Sequence, residues 1–332
     1  MNPLTSLASK CYTAAIHRRN RRFDRGDRVV DVGRPVISVG NLTVGGTGKT
    51  PVVQWIVGVL QENGLHPVVA LRGYGARRAE RSDEAMEHER KLPGVPVLAD
   101  PDRVAAIRAL LHRDPSRDVV VLDDGFQHRF VARQFDLVLI DARRLWDAER
   151  VLPAGRLREP FAALRRATDV LVTHASGIDE TLRGRIHAAH GHDPVAWCRH
   201  AWLGLDRFDG GGSSVLPITS LAGLRVVTRL GVAAAAGVRS QITQAGAQIV
   251  MDVPARDHAP ARDAEMRRLE SGCRNADALL VTAKDWVKLQ PLVDWSALGV
   301  PVLVPQLALD FVSGQADLER RLLEVAVSSE ST

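Results

Sequence analysis

The sequence is short of cysteine, of lysine and of long apolar runs, and each shortage excludes something. Its three cysteines (Cys11, Cys198 and Cys273) lie far apart with no C-x-x-C spacing. Neither a disulfide framework nor a zinc site is expected, and a reducing cytoplasm fits. No window reaches the roughly 18 consecutive uncharged apolar residues that a transmembrane helix requires. A cleaved signal peptide is not expected either, because residues 1–16 are apolar only in stripes and the basic cluster follows them. No internal repeat is visible. Hydrophobic residues make up 45% and charged residues 25% of the 332, a globular balance, and the length points to two domains of about 150 residues each.

The net charge of +5 raises nucleic-acid binding as a class, but its location argues against it. Residues 1–28 carry seven basic side chains (Lys10, Arg18, Arg19, Arg21, Arg22, Arg25 and Arg28) against Asp24 and Asp27, and the rest of the chain is formally neutral. Within that segment Leu4, Leu7, Ala8, Cys11, Tyr12, Ala15 and Ile16 recur at helical spacing, and HRRNRRFDR follows. An apolar stripe ending in a cationic cluster suits a helix lying in a membrane interface near anionic headgroups. A helix packed on its own domain, with a solvated basic turn after it, satisfies the same pattern.

Further along, short apolar runs at 36–39, 68–71, 119–122, 137–140, 170–172 and 279–281 read as buried strands, with helical patterns such as 51–60 and 102–111 between several of them. This alternation predicts a parallel sheet covered by helices on both faces. The glycine-rich DRFDGGGSS, residues 206–214, reads as a hairpin tip or a linker near a domain junction.

The run Thr43, Val44, Gly45, Gly46, Thr47, Gly48, Lys49, Thr50 matches the Walker A pattern except that Thr43 replaces the first glycine. A strand before it and a helix after it are the context this motif needs. The glycines let backbone N–H groups turn toward phosphates, where the helix dipole assists. Lys49 is placed to reach the β- and γ-phosphates and the Thr50 hydroxyl to ligate Mg²⁺. Only five lysines stand against 39 arginines, so a lysine at this position is informative. Downstream, VVVLDD ends an apolar strand in Asp123 and Asp124, the place of the Walker B acid. Side chains alternate along a strand, so one of the pair is expected to face the metal. The guanine-reading N/T-K-x-D pattern is absent, since Lys284 and Asp285 are adjacent in TAKDW, and Val44 stands where partition-type ATPases carry a signature lysine.

Together these motifs resemble the tetraacyldisaccharide 4′-kinase (lipid A 4′-kinase) family. The likeness rests on ISVGNLTVGGTGKTP (37–51), LRGYG (71–75), VVVLDDGFQHR (119–129) and LPAGRLREP (152–160), with weaker support from SDE (82–84), PDRVAA (101–106), RDHAP (256–260) and TAKDWVKL (282–289). The resemblance implies a P-loop NTPase-like α/β fold with a parallel sheet flanked by helices, a second smaller α/β domain and an N-terminal amphipathic helix. The expected divisions are 1–28 for that helix and basic cluster, 29–178 for the nucleotide-binding domain and 179–332 for the second, with the C-terminal helix available to pack back on the first.

The resemblance further implies transfer of the γ-phosphoryl group of ATP to the 4′-hydroxyl of a lipid-linked glucosamine disaccharide 1-phosphate. The enzyme would work peripherally at the cytoplasmic face of the bacterial inner membrane, with no nucleic acid and no obligate protein partner. ATP and Mg²⁺ are the implied cofactors. Asp83 aligns with the family's catalytic aspartate and His258 with its supporting histidine. His128, Arg158 and Glu159 fall around the metal and γ-phosphate, with Thr50, Asp123, Asp124 and Glu159 as the metal set. Taken residue by residue, Asp83, His258 and Glu159 are otherwise ordinary polar groups and His128 a turn residue. His187, His190 and His192 have metal-like spacing but read as a surface helix end. The chain departs from the family at Ser82, Ala85, Ala283 and 229–237. Two alternatives remain: a membrane-associated switching ATPase, and a P-loop kinase for another sugar or cofactor.

Overall fold

The computed structural model describes residues 3–45, 47–73, 83–144, 146, 149–232, 235–255 and 263–328. The elements begin with α1 (Pro3–Asp24), β1 (Val36–Asn41), α2 (Lys49–Glu62), β2 (Pro67–Leu71), α3 (Asp83–Lys91), β3 (Val97–Ala99) and α4 (Arg103–Arg113). There follow β4 (Val119–Asp123), β5 (Phe135–Asp141), β6 (Asp169–Thr173), α5 (Glu180–His190), β7 (Ala196–Asp209), β8 (Gly212–Leu216), β9 (Arg225–Arg229) and α6 (Ala235–Gln244). The chain closes with β10 (Gln248–Val253), α7 (Asp263–Cys273), β11 (Ala278–Val281), α8 (Ala283–Leu289), α9 (Trp295–Leu298), β12 (Val302–Ser313) and α10 (Gln315–Val327). All six apolar runs read as strands from the sequence are strands.

Two compact units result, one of residues 1–200 with 309–332, the other of residues 201–308. In the first, parallel strands run in the order β3-β2-β4-β1-β5-β6-β7. Strands β1, β2, β4, β5 and β6 are buried along their whole length, which explains their unbroken apolar sequences. The order reverses at β1, with β4 on one flank and β5 on the other, so the loop after β1 opens at the switch point where ligands bind such sheets. The second unit has its own parallel strands, β10-β9-β11-β12, and its own apolar core around Trp286, Leu269 and Val302. The glycine-rich stretch at 206–214 is a hairpin tip, where β7 and β8 pair antiparallel.

The units divide at 200/201 and 308/309, not at 178/179. Helix α5 belongs to the first unit because Leu182 and Ile186 pack with Val170, Val172 and Trp197. Residues 309–332 return to it, and Leu318, Leu322 and Ala326 join the core formed by β1 and α2. The expected N-terminal helix is present and takes in the basic run as well as the apolar stripe: no breaker occurs before Gly26, which has φ +79°, so the arginines form its last turns.

A close approach between β1 and the loop after β4 fixes the site. A Cβ at Gly40 would lie 2.5 Å from the Phe126 Cβ and 2.6 Å from its backbone N, and one at Gly125 would meet the Ser38 side chain. Only hydrogen fits. Gly40→Ala is therefore expected to lower stability by about 1–3 kcal/mol, the range for overpacking a filled core, read as a lower denaturant midpoint at unchanged slope.

Candidate active site

The loop after β1 is stitched to its neighbours by buried side chains. Asn41, at the strand's end, donates to the Thr47 hydroxyl at 2.8 Å, and its Oδ1 lies 3.3 Å from the Lys49 ammonium. The Thr173 hydroxyl on β6 donates to the Thr47 carbonyl at 3.1 Å. Thr43 is fully buried and bridged to Leu157, while the Val44 N–H donates to the Arg156 carbonyl at 2.9 Å. The segment 152–160 thus forms one wall of the loop, which accounts for its motif. Gly45 and Gly48 take φ +101° and +79°, conformations open to glycine at little cost. Gly48 caps α2 without any side-chain cap, leaving N–H groups at the helix start for an anion.

The two acids at the end of β4 face different neighbours, because the strand ends at Asp123. Asp123 is buried, and its Oδ2 lies 3.0 Å from Nε2 of His88, a fully buried residue of α3. Burial opposes charge on His88, but its hydrogen bond to Asp123 and that carboxylate's charge outweigh it and raise the imidazole pKa. Asp124 leaves the strand with φ +52° and turns to the loop. Its carboxylate lies 3.3 Å from the Lys49 ammonium and 2.8 Å from the Arg158 guanidinium. Burial pushes the Asp124 pKa up, yet Lys49 and Arg158 more than offset this and hold it below the usual range. Of the two acids, Asp124 is the one that meets the P-loop lysine.

Asp124 and Arg158 open onto a cavity of about 930 Å³, also lined by Arg19, Arg28, Arg72, Arg103, Gln127 and His128. Gln127 donates to the Asn41 carbonyl at 2.9 Å and its own carbonyl accepts from Arg19 of α1 at 2.6 Å. His128 is held neutral, its pKa lowered to about 4 by burial first and then by the charges of Arg103, Arg133, Arg19 and Arg72. The basic end of α1 is therefore part of this cavity's wall.

Glu159 is placed differently from its expected metal role. Its carboxylate is 1% exposed and accepts from Arg166 at 2.7 and 3.0 Å and from Asn20 of α1 at 2.7 Å. Both oxygens are committed to a buried ion pair that holds the helix. Gly46, His258 and the Asp83 side chain lie outside the described residues; the backbone of Asp83 begins α3. His187 pairs with Asp193 at 2.8 Å and His190 sits against the Ala167 carbonyl, an ordinary helix end. TAKDW caps α8 in the second unit, where Asp285 forms a buried ion pair with Arg229 at 2.5 Å. Sequence reading missed Asn41, His88, Arg19 and Gln127. Asn41 and Gln127 stood inside quoted motifs and Arg19 inside the basic cluster, but no spacing marks the role of any of the four.

Among the described residues no cluster of three or more His, Cys, Asp or Glu side chains is arranged to hold a metal. The oxygen donors Thr50, Asp123 and Asp124 nonetheless suit Mg²⁺, a hard ion that keeps waters and binds few protein ligands. Among the described residues the Asp123 Oδ1 is buried without a hydrogen-bond partner, as an acid awaiting a ligand would be.

A parallel sheet with a glycine-rich loop and lysine between β1 and α2, and paired acids after β4, defines a P-loop NTPase-like protein. Within that class the chain belongs to the tetraacyldisaccharide-1-P 4′-kinase family, whose model matches residues 1–326. Relatives named tetraacyldisaccharide 4′-kinase include those of Geobacter sulfurreducens, 35% identical over 87% of this chain and 84% of the relative, and Geobacter metallireducens, 35% identical over 90% of each. The fold is similar to the crystal structure of the "apo" form of LpxK from Aquifex aeolicus in complex with ATP, with TM-score 0.71 and 24% identity over 96% of each chain.

The neutral His128 gives a pH prediction. Its folded pKa, about 4, lies below the 6.5 of the free side chain, so between those values the unfolded chain binds a proton that the folded one refuses. Stability must rise with pH across this window and fall on acidification. His128→Gln should reduce the slope of unfolding free energy against pH between 4 and 6.5 by up to one proton, measured by denaturant titration at several pH values.

Proposed function

We propose that the chain transfers the γ-phosphoryl group of ATP to the 4′-hydroxyl of a lipid-linked glucosamine disaccharide 1-phosphate. The observation that carries this reading is the ion cluster of Lys49, Asp124 and Arg158 standing between the phosphate loop and an arginine-lined cavity. A polyanionic donor fits on one side and an anionic acceptor on the other. The curated relatives carry the name of this activity.

In the reaction Lys49 exchanges Asp124 for the β- and γ-phosphates, and Arg158 stabilises charge on the transferring group. Thr50 with Asp123 or Asp124 would hold Mg²⁺, which supplies neutralisation of the phosphate charge. The acceptor hydroxyl needs a base only as its bond to phosphorus forms. The family resemblance assigns that role to Asp83, with His258 in support. Helix α3, which Asp83 begins, is tied to the end of β4 through His88 and Asp123, an anchorage that suits a base on its first turn. His128, kept neutral, is available to the acceptor as a hydrogen-bonding group.

The membrane reading of α1 gains support from exposure. Leu7 is 61% exposed and Cys11 is exposed, whereas Asn20 and Phe23, near the helix end, are buried. The apolar stripe is thus largely left uncovered by the first unit, and arginines follow it toward the cavity. No helix among the described residues is long and apolar enough to cross a membrane. Peripheral attachment at the cytoplasmic face, where the lipid acceptor would be met, follows as part of the proposal.

Incubating the chain with labelled ATP and a lipid A precursor should yield labelled lipid, and Asp83→Ala should cut turnover by about a hundredfold or more with little change in ATP affinity. ATP hydrolysis with no labelled lipid would point to a switching ATPase instead, and near-normal turnover would discard Asp83 as the base. Separately, Leu7→Glu combined with Cys11→Glu should reduce co-sedimentation with anionic phospholipid vesicles while lipid-free ATP binding stays intact. Unchanged sedimentation would return α1 to a purely structural role.

A further inference from the structure

On the flank of β1 opposite Asp124, the ends of β5 and β6 and an inner residue of β7 carry a second polar chain directed at the phosphate loop. Asp141 ends β5 and accepts from Arg143 at 3.0 and 2.8 Å. Its Oδ1 lies 3.4 Å from Nδ1 of His174, the residue just after β6. His174 holds φ +56°, an unusual conformation outside glycine that persists only where its surroundings enforce it. Nδ1 of His200, on β7, lies 3.0 Å from Nε2 of His174. The His200 ring then rests on the loop, where a Cβ at Gly48 would fall 2.5 Å from its Nε2. That Nε2 is buried against the Gly48 backbone without a well-formed hydrogen bond among the described residues. A ligand oxygen entering the loop would supply the missing acceptor.

We propose that His200 is a further nucleotide-binding residue, whose Nε2–H donates to a phosphate oxygen of the bound nucleotide and is aimed there by Asp141 through His174. The proposal rests on the reading that the loop binds ATP. Donor and acceptor accounting fixes the protons. Phosphate oxygens only accept at neutral pH, so Nε2 of His200 carries its hydrogen. The buried ring stays neutral, with its pKa lowered to about 4 by burial, then by His174 and Arg143. Its Nδ1 is therefore an acceptor and takes a hydrogen from Nε2 of His174. The other nitrogen of His174, Nδ1, lies beside the Asp141 carboxylate, which fixes the orientation of the ring. Among the described residues, Arg143 and Arg144, at 2.8 and 3.9 Å, are the charges facing the Asp141 carboxylate. No sequence pattern links residues 141, 174 and 200; parallel pairing of β5, β6 and β7 brings them together.

Calorimetric titration of the full chain with MgATP tests this. His200→Leu should weaken ATP binding by about tenfold, with turnover at saturating ATP within about threefold of the unaltered chain, as loss of one charge-assisted hydrogen bond predicts. His200→Gln, which keeps an N–H near the Nε2 position, should recover most of the affinity. His174→Leu should weaken binding like His200→Leu, and the double variant should bind no more weakly than either. Equal ATP affinity in His200→Leu and the unaltered chain, or equal losses in the Leu and Gln variants, overturns the relay while leaving the kinase reading intact. Failure of the unaltered chain to bind ATP overturns both. Should the variants not fold, ¹⁵N spectra of the unaltered chain's histidines decide: added MgATP should show His200 protonated at Nε2 and bare at Nδ1, and the opposite tautomer overturns the proposal.

Discussion

The contact between Lys49 and Asp124 is the one on which the candidate site depends. It joins the loop after β1 to the end of β4, and its geometry is inherited from the sheet, where Val39 is in register with Asp123. One residue later the chain turns left-handed at Asp124, which carries that carboxylate out of the strand's alternation and toward the lysine. With Arg158 on its other side the acid is doubly countered, so the cluster carries net positive charge at a largely buried position. Such a cluster is costly unless every member is paired, and its surplus charge is a standing attraction for an anion.

Arginine and lysine divide the work around this contact. Arg133 donates to the Gly125 carbonyl, the Ser38 hydroxyl and the His128 carbonyl, bracing the loop after β4 from below. Arg103, 2% exposed, donates to the Asp124 carbonyl. Arg19 and Arg166 secure the end of α1. These are planar, multi-donor roles that a guanidinium performs well, whereas a compact ammonium on a flexible stem can change partners between an acid and a phosphate. A chain that otherwise favours arginine thus keeps lysine where mobility of charge matters.

Much of the fold was legible because its strands are buried on both faces and so are written as unbroken apolar runs. The phosphate loop and the acids after β4 were legible because local backbone geometry demands glycine, lysine and aspartate at fixed spacing. His88, His174 and His200 were not, since each acquires its place through pairing between strands and helices distant in sequence. Glu159 misled for the complementary reason: its neighbours in sequence are the motif, but its partners in space are Asn20 and Arg166. The boundary at 178/179 also escaped, because only packing against β6 assigns α5 to the first unit, whereas the return of the C-terminal helix had been expected.

That return of the C-terminal segment has a consequence for biosynthesis. Leu318, Leu322 and Ala326 of α10 complete the apolar core around β1 and α2, yet they are synthesised only after the whole of residues 201–308. The unit formed by residues 201–308 has all its strands and helices available earlier, and domains generally fold as units during synthesis. The unit bearing the phosphate loop, although most of it is made before residues 201–308, therefore acquires its full core after them. Until α10 has been made, its unfinished apolar surface is open to chaperones and to aggregation.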